Sequence, residues 1–342
     1  MAKTTPSPKH PIRRVLSLDG GGIRGLMTAI WLQALEDKLG GPLRDYFDLI
    51  AGTSTGAILA CAISAGKKPA EIVSLYKERG MNVFPSRASR LWDRLVRLPQ
   101  DGASAPKYQP DGLRAELEAV FADMEFGDLH VKPTLVTAYD VAARAALVFK
   151  NHKPEHTKLR LVDICLASSA APTYFPCHVM IVGVDGVHKQ RPLVDGGVVA
   201  NNPTACAIAE AARFNCDANA KTNGLGDLIV ASFGTGESTR VITAEEATEW
   251  GTVEWAKPIV DVLFDGAADA VDYIASQLIE KDRYFRFQAI LDSAYDDMDK
   301  ADAVNIAALE TTAEKFLSSA QGKRLLSELA TILKKDKADN AA

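Results

Sequence analysis

Ser54 stands in the run Gly52-Thr53-Ser54-Thr55-Gly56, and upstream lies Asp19-Gly20-Gly21-Gly22-Ile23-Arg24-Gly25; each run joins an apolar strand-like segment to a helix-like one. A serine hydroxyl is a poor nucleophile at neutral pH. An enzyme that uses one must remove its proton and stabilise the oxyanion formed on attack. The pattern around Ser54 fits a nucleophile elbow, a tight strand-to-helix turn that leaves no room for side chains on its neighbours. Gly20, Gly21 and Gly22 offer unhindered backbone N–H groups at a helix start, suited to an anionic oxygen. That oxygen belongs either to a tetrahedral intermediate or to a phosphate. The spacing of Gly20, Gly22 and Gly25 also satisfies the dinucleotide fingerprint, with Asp45 and Asp48 downstream where a ribose-binding acid is sought. Pairing with the Ser54 elbow favours the oxyanion hole.

The remaining need is a base. Hydrolases with this kind of elbow usually place serine, then an acid, then histidine along the chain. Here His10, His130, His152, His156, His178 and His188 leave no histidine after position 188. Asp195 is the better candidate, because Asp195-Gly196-Gly197 follows a short apolar run, at a strand end where catalytic side chains of open α/β sheets gather. An ordinary aspartate, with a pKa of ~3.9, is a weak base, so burial must tune it or proton transfer must be concerted with attack.

Short apolar runs predict strands at 13–18, 46–51, 134–139, 146–150, 191–194 and 228–233. Helical spacing recurs between them at 23–39, 57–65, 70–79, 113–121, 161–169 and 203–214. Such alternation predicts a parallel α/β sheet. The later part reads as helical at 256–278, 302–317 and 322–334, with a strand at 284–289. We expect a flexible tail over 1–11 and one domain over 12–335 whose C-terminal part is helical.

An apolar fraction of 47% with 24% charged residues excludes disordered, collagen-like and disulfide-scaffold chains. A net charge of -5 gives no overall footprint for nucleic acid. The cysteines at 61, 165, 177, 206 and 216 are scattered without a ligand pattern, which disfavours a disulfide framework and a zinc site and fits a reducing compartment. No secretory signal precedes the Asp19 run. The longest apolar stretch, 57–65, is too short for a bilayer span of roughly 20 residues, so any membrane contact is expected to be peripheral.

The runs at 19–25, 52–56 and 195–197 resemble, in order and approximate spacing, the motifs of the patatin-like phospholipases, and of their bacterial type. The segment Ala167-Ser168-Ser169-Ala170-Ala171-Pro172-Thr173-Tyr174-Phe175-Pro176 and the run Asn201-Asn202-Pro203 are similar to patatin segments too. The resemblance is strongest over 12–210. It implies a three-layer α/β/α fold with a mostly parallel central sheet and a Ser54–Asp195 dyad in place of a triad. By the same resemblance Gly20, Gly21 and Gly22 form the oxyanion hole. Asp19, Arg24, Gly25, Gly52, Gly56, Gly196 and Gly197 are the supporting motif positions; many members carry alanine at the place of Gly197, a change expected to be harmless. The implied reaction is cleavage of acyl esters of membrane phospholipids or related lipids through an acyl-enzyme, with no metal and no organic cofactor. The implied setting is the cytoplasmic inner face of a membrane, with a cyclic nucleotide as a conceivable small-molecule activator.

Two segments bear on how lipid is reached. Projected as a helix, 87–98 places Arg87, Arg90, Arg94 and Arg97 on one side and Leu91, Trp92, Leu95, Val96 and Leu98 on the other. This describes either a helix packed on the core or a lid or membrane-docking helix. The helix expected over 249–278 carries Trp250, Trp255, Phe264 and Tyr273, which either line an acyl tunnel or belong to the core. Two rival readings stay open: a dinucleotide enzyme that uses the 20–25 loop, and a non-catalytic lipid-binding module.

Overall fold

The structure is a computed structural model that describes residues 11–85, 106–184, 186–217, 224–255 and 258–339. The expectations for the tail and for 87–98 lie outside the described residues, apart from position 11.

The first half of the chain alternates strand and helix, from β1 (Arg14–Leu18), α1 (Gly25–Leu39), β2 (Leu49–Gly52) and α2 (Thr55–Ser64) to α3 (Pro69–Val83) and α4 (Asp111–Phe121). There follow β3 (Thr134–Asp140), β4 (Ala145–Lys150), α5 (Leu161–Ser168), β5 (His178–Val184), β6 (Val187–Asp195), the single turn α6 (Gly197–Ala200), α7 (Thr204–Asp217) and β7 (Ile229–Phe233). The chain continues through α8 (Pro258–Leu278), β8 (Tyr284–Phe287), α9 (Ala303–Ser318) and α10 (Ala320–Asp339), with short helical stretches at Ala244–Glu249 and Thr252–Trp255 ahead of α8.

Among the described residues, eight strands form one sheet in the order β5-β6-β3-β2-β1-β7-β8, with β4 also paired to β3. The run β3-β2-β1-β7-β8 is parallel throughout, whereas β4 and β6 join β3 antiparallel and β5 joins β6 antiparallel. The parallel strands are apolar on both faces because helices cover both. Leu16, Ile50, Ile229 and Ala231 point into a core shared with α1, α2, α5, α9 and α10. Val15, Leu49, Ala51 and Val230 point the other way, toward α7 and the end of α8. This is the expected three-layer arrangement with an antiparallel extension on one side. The C-terminal helices share the main core: Trp31 of α1 donates its indole N–H to Ala313 O at 3.1 Å and packs on Phe316 of α9.

Some expected boundaries move. β2 starts at Leu49, because 43–45 coil into a tight helical turn. β6 begins at Val187 and pairs with β5, a strand the sequence did not suggest; Val179, Ile181 and Val187 are exposed there, so this hairpin lacks a clean inside-outside alternation.

Candidate active site

The sheet itself brings the proposed nucleophile and base together. β4 occupies one edge of β3 from Leu135 to Asp140. The other edge is shared: β2 pairs along it as far as Gly52 opposite Val136, and β6 takes over with Asp195 opposite Ala138. The chain therefore leaves β3 at Gly52 and turns into the Ser54 elbow just where β6 delivers Asp195. Thr53 bridges the junction, donating its hydroxyl to Ala200 O and bonding Thr137 Oγ1, both at 2.6 Å.

Ser54 has φ 54° and ψ −122°, a backbone state that side chains rarely adopt, and it caps the N-terminus of α2. The turn is possible because its flanks are glycines. A Cβ on Gly52 would lie 2.2 Å from Gly56 O, and one on Gly56 would lie 2.2 Å from Leu18 O and 2.6 Å from Asp19 O. The Ser54 N–H donates to Ser168 Oγ at 2.8 Å. Ser54 remains 8% exposed, and Asp195 is 1% exposed.

Asp195 Oδ1 accepts the Gly197 N–H at 2.7 Å, while Oδ2 is buried and accepts no hydrogen bond of normal geometry. Burial pushes the Asp195 carboxyl up to about 7, opposed by the Gly197 N–H and by the neighbouring Ser54 hydroxyl, which favour the charged form. An aspartate so placed is a far better base at neutral pH than one in water.

The glycine loop leaves β1 beside this pair. Gly20 donates its N–H to Asn201 O at 3.0 Å, and its carbonyl accepts from Thr235 Oγ1 at 2.8 Å. Gly20 is thus spent on holding the loop. Its place in the expected oxyanion hole is corrected: the N–H groups of Gly21 and Gly22 are the ones that meet no acceptor among the described residues. Gly22 has φ 58°, and a Cβ there would lie 2.1 Å from Met298 O. Asp19 is held from behind, its Oδ2 accepting from Arg286 at 2.7 Å, and Arg24 is buried with one guanidinium N–H reaching Asp296 O at 3.5 Å.

Ser54, Asp195, Gly21 and Gly22 all line one largely apolar pocket of about 910 Å³, part of it open to solvent. Its further walls come from Ile58 of α2, Tyr76 and Val83 of α3, Leu113 and Leu117 of α4, and Phe175. No histidine is among its lining residues.

Comparison with known proteins decides the family. Residues 16–208 match the model of the patatin-like phospholipases. The chain belongs to that family, a family of lipid acyl hydrolases. Its patatin-like relatives include Patatin-like protein 2 of Oryza sativa subsp. indica, 32% identical over 79% of this chain and 74% of the relative. Patatin-like protein 2 of Arabidopsis thaliana is 31% identical over 91% of this chain and 86% of the relative. A Solanum tuberosum relative, 28% identical over 89% of this chain and 86% of its own, is named a probable inactive patatin. Among solved structures, VipD from Legionella pneumophila matches with a TM-score of 0.41 and 14% identity, over 90% of this chain and 67% of that one.

In this patatin-like chain the structure gathers Ser54, Asp195 and the glycine loop into one place, as the motifs suggested. The dinucleotide alternative fails on position: Asp48 bonds Arg14 at 2.6 Å, at the start of β1, whereas the glycine loop leaves the opposite end of that strand. Of the four aromatics expected near 249–278, Phe264 lines the pocket, Trp250 and Trp255 pack edge-on against each other, and Tyr273 is 70% exposed. That helix is also not continuous, since it is broken between Glu249 and Thr252. Ser168, Asn201 and Thr235, which hold the elbow and the glycine loop, carry no chemistry that marks them in the sequence. Ser168 and Asn201 lie in the segments that resemble patatins, and that was their only signal.

Proposed function

We propose that this patatin-like chain hydrolyses acyl esters of membrane phospholipids or related lipids through a Ser54–Asp195 dyad. Asp195 accepts the Ser54 proton as Ser54 Oγ attacks the ester carbonyl carbon. The resulting oxyanion is held by the N–H groups of Gly21 and Gly22. Collapse breaks the ester bond, the leaving alkoxide takes the proton from Asp195, and the acyl group stays on Ser54. Water, giving its proton to Asp195, then attacks the acyl-enzyme; collapse breaks the acyl–Ser54 bond, Ser54 Oγ takes the proton back from Asp195, and the fatty acid leaves.

The observation that carries this reading is the placement of a strained serine and a buried, otherwise under-bonded carboxylate in one apolar pocket. The pocket suits a hydrocarbon tail. We place the protein peripherally at the inner face of a cytoplasmic membrane; among the described residues no helix is long and apolar enough to cross one.

A lipid-panel assay on wild type and Ser54→Ala, reading free fatty acid and lysolipid by mass spectrometry, tests mechanism and substrate together. Because one relative is named inactive, labelling of Ser54 by a fluorophosphonate is the decisive companion, run with and without cyclic nucleotides. Ser54-dependent release of fatty acid supports the reading. No release and no labelling under any condition overturns it in favour of a lipid-binding module.

A further inference from the structure

Gly21 and Gly22 lie between two peptides that are each held from a distance. Upstream, Gly20 is bonded on both sides, its N–H to Asn201 O and its carbonyl to Thr235 Oγ1. Downstream, the Ile23 N–H donates to Met298 O at 2.8 Å. That oxygen stands tight against the loop, since a Cβ on Gly22 would lie 2.1 Å from it. The direction of the Gly22 N–H therefore depends on where Met298 O stands. Met298 belongs to an irregular stretch between β8 and α9, outside residues 16–208 that match the family model.

The next residue anchors that stretch. Asp299 is buried, and its Oδ2 accepts the Tyr108 hydroxyl at 2.6 Å and the Lys107 ammonium. Lys107 and Tyr108 are in turn bound to the backbone behind the elbow: the Lys107 N–H donates to Thr173 O at 3.0 Å and the Tyr108 N–H to Tyr174 O at 2.8 Å. Thr173 and Tyr174 follow closely on Ser168, whose hydroxyl accepts the Ser54 N–H. The Tyr108 ring packs on Phe84 and Phe175, with centroids 5.4 and 5.6 Å away, so its hydroxyl has little freedom. These contacts close a ring from the glycine loop through Met298, Asp299 and Tyr108 back to the elbow of the nucleophile.

We propose that Asp299 is a positioning residue for the oxyanion hole: by holding Met298 O against the Ile23 N–H, it aims the N–H groups of Gly21 and Gly22 at the point where attack by Ser54 creates negative charge. This rests on the acyl-hydrolase reading above. Backbone donors stabilise a transition state to the extent that they are already oriented when the charge forms. Glycine is the most permissive residue of the backbone, so Gly21 and Gly22 do not orient themselves and contacts on either side must do it. Asp299 suits that task, because hydrogen bonds to an ionised carboxylate are roughly twice as strong as neutral ones.

The test compares p-nitrophenyl butyrate with its thionoester, in which sulfur replaces the carbonyl oxygen, on wild type, Asp299→Ala, Asp299→Asn and Tyr108→Phe. Sulfur is a weak hydrogen-bond acceptor, so a well-aimed hole favours the oxygen ester. Asp299→Ala is expected to lower kcat on the oxygen ester about 10- to 100-fold, the scale of a misplaced catalytic group, with KM held within about 2-fold. The preference in kcat/KM for oxygen over sulfur should fall with it, which a general loosening of the fold would not produce. Asp299→Asn keeps an acceptor for Tyr108 and should recover most of the loss. Tyr108→Phe keeps the ring and removes only the hydroxyl; it should move both readouts the same way by about 3-fold, and it carries the test if Asp299→Ala does not fold. Unchanged kcat in the folded variants, a change confined to KM, or equal slowing of the oxygen and sulfur esters overturns the proposal. Absence of Ser54-dependent hydrolysis of the oxygen ester by wild type overturns the acyl-hydrolase reading and this inference with it.

Discussion

Ser168 Oγ accepts the backbone N–H of Ser54 at 2.8 Å, and the same residue's carbonyl accepts the N–H of Gly196 at 3.2 Å. One side chain at the end of α5 therefore fixes the elbow, while its own backbone fixes the turn that follows Asp195. The relative position of Ser54 and Asp195, the proposed nucleophile and base, depends on a residue outside the proposed proton transfer.

Ser168→Ala leaves the buried Ser54 N–H without an acceptor, a loss of about 1–3 kcal/mol. The Ser54 turn already sits in a costly conformation and relaxes when that bond goes. We expect kcat to fall about 10- to 100-fold with KM little changed, as befits an interaction that aligns reacting groups. Steady-state kinetics on a soluble ester checks this. An unchanged kcat would show that the elbow is held by its glycines alone.

Asp195 titrates in the range that matters for the proposed chemistry. Its carboxyl is pushed up to about 7 by burial, and only the ionised form accepts a proton from Ser54. kcat/KM should therefore fall tenfold per unit as pH drops below about 7. The stability effect has the opposite sign. A carboxyl whose folded pKa lies above its unfolded value stabilises the fold while protonated, and that contribution is lost as pH rises through 7. Asp195→Asn, inactive but neutral at every pH, should then be the more stable protein at pH 8, by up to about 4 kcal/mol, with the difference vanishing below pH 4. Denaturant midpoints at the two pH values decide it.

The parts of the site that sequence revealed are those whose chemistry forces a residue type over a short stretch. The glycines at 52 and 56 are legible because backbone atoms occupy the space a side chain would need, and Asp195 because a glycine pair follows it at a strand end. What stayed hidden depends on distant pairing. That β6 takes over an edge of β3 from β2, placing Asp195 beside Ser54, is a matter of register between strands more than fifty residues apart. The Gly20 N–H looked available because nothing near it in sequence hints at Asn201 O as its acceptor. In the fold, strands were readable as short apolar runs where both faces are buried, as in β1, β2 and β7, and β5 of the exposed β5–β6 hairpin was not.

Arg286 should prove essential to the glycine loop. From β8 it donates to Asp19 Oδ2 at 2.7 Å and to Ser232 Oγ at 2.9 Å, and Asp19 and Arg286 are both largely buried. Burial pushes the Asp19 carboxyl up and Arg286 pulls it down, while Asp19 holds the guanidinium charged. Arg286→Ala leaves Asp19 buried with no partner, at a cost of about 3–5 kcal/mol. Asp19→Asn in the same chain should recover part of that loss by removing the orphaned charge. Urea unfolding of the single and double variants measures both, and equal stability of the two would contradict the pairing.

Two glycines that look alike in sequence should respond differently to alanine. A Cβ on Gly56 would lie 2.2 Å from Leu18 O and 2.6 Å from Asp19 O, atoms of the backbone that carries the glycine loop. These cannot move without displacing β1, so Gly56→Ala should cost about 3 kcal/mol or more and abolish ester hydrolysis. A Cβ on Gly197 would instead lie 2.8 Å from the Phe264 ring, whose outer atoms can swing aside, and 3.1 Å from Asp195 Oδ1. Gly197→Ala should therefore fold with a loss of about 1 kcal/mol or less. The contacts of that methyl also predict an effect on the site. Phe264 lines the pocket, and a ring pushed from its place narrows or reshapes the space for the acyl chain. We expect KM for long-chain esters to change by about 3-fold or more, since one displaced apolar contact is worth about 1 kcal/mol, and kcat for the shortest ester to fall as well, because the new methyl crowds Asp195 Oδ1. Thermal melts beside kinetics on short and long esters separate the two cases: Gly56→Ala fails in both, whereas Gly197→Ala keeps its fold and changes only its kinetics.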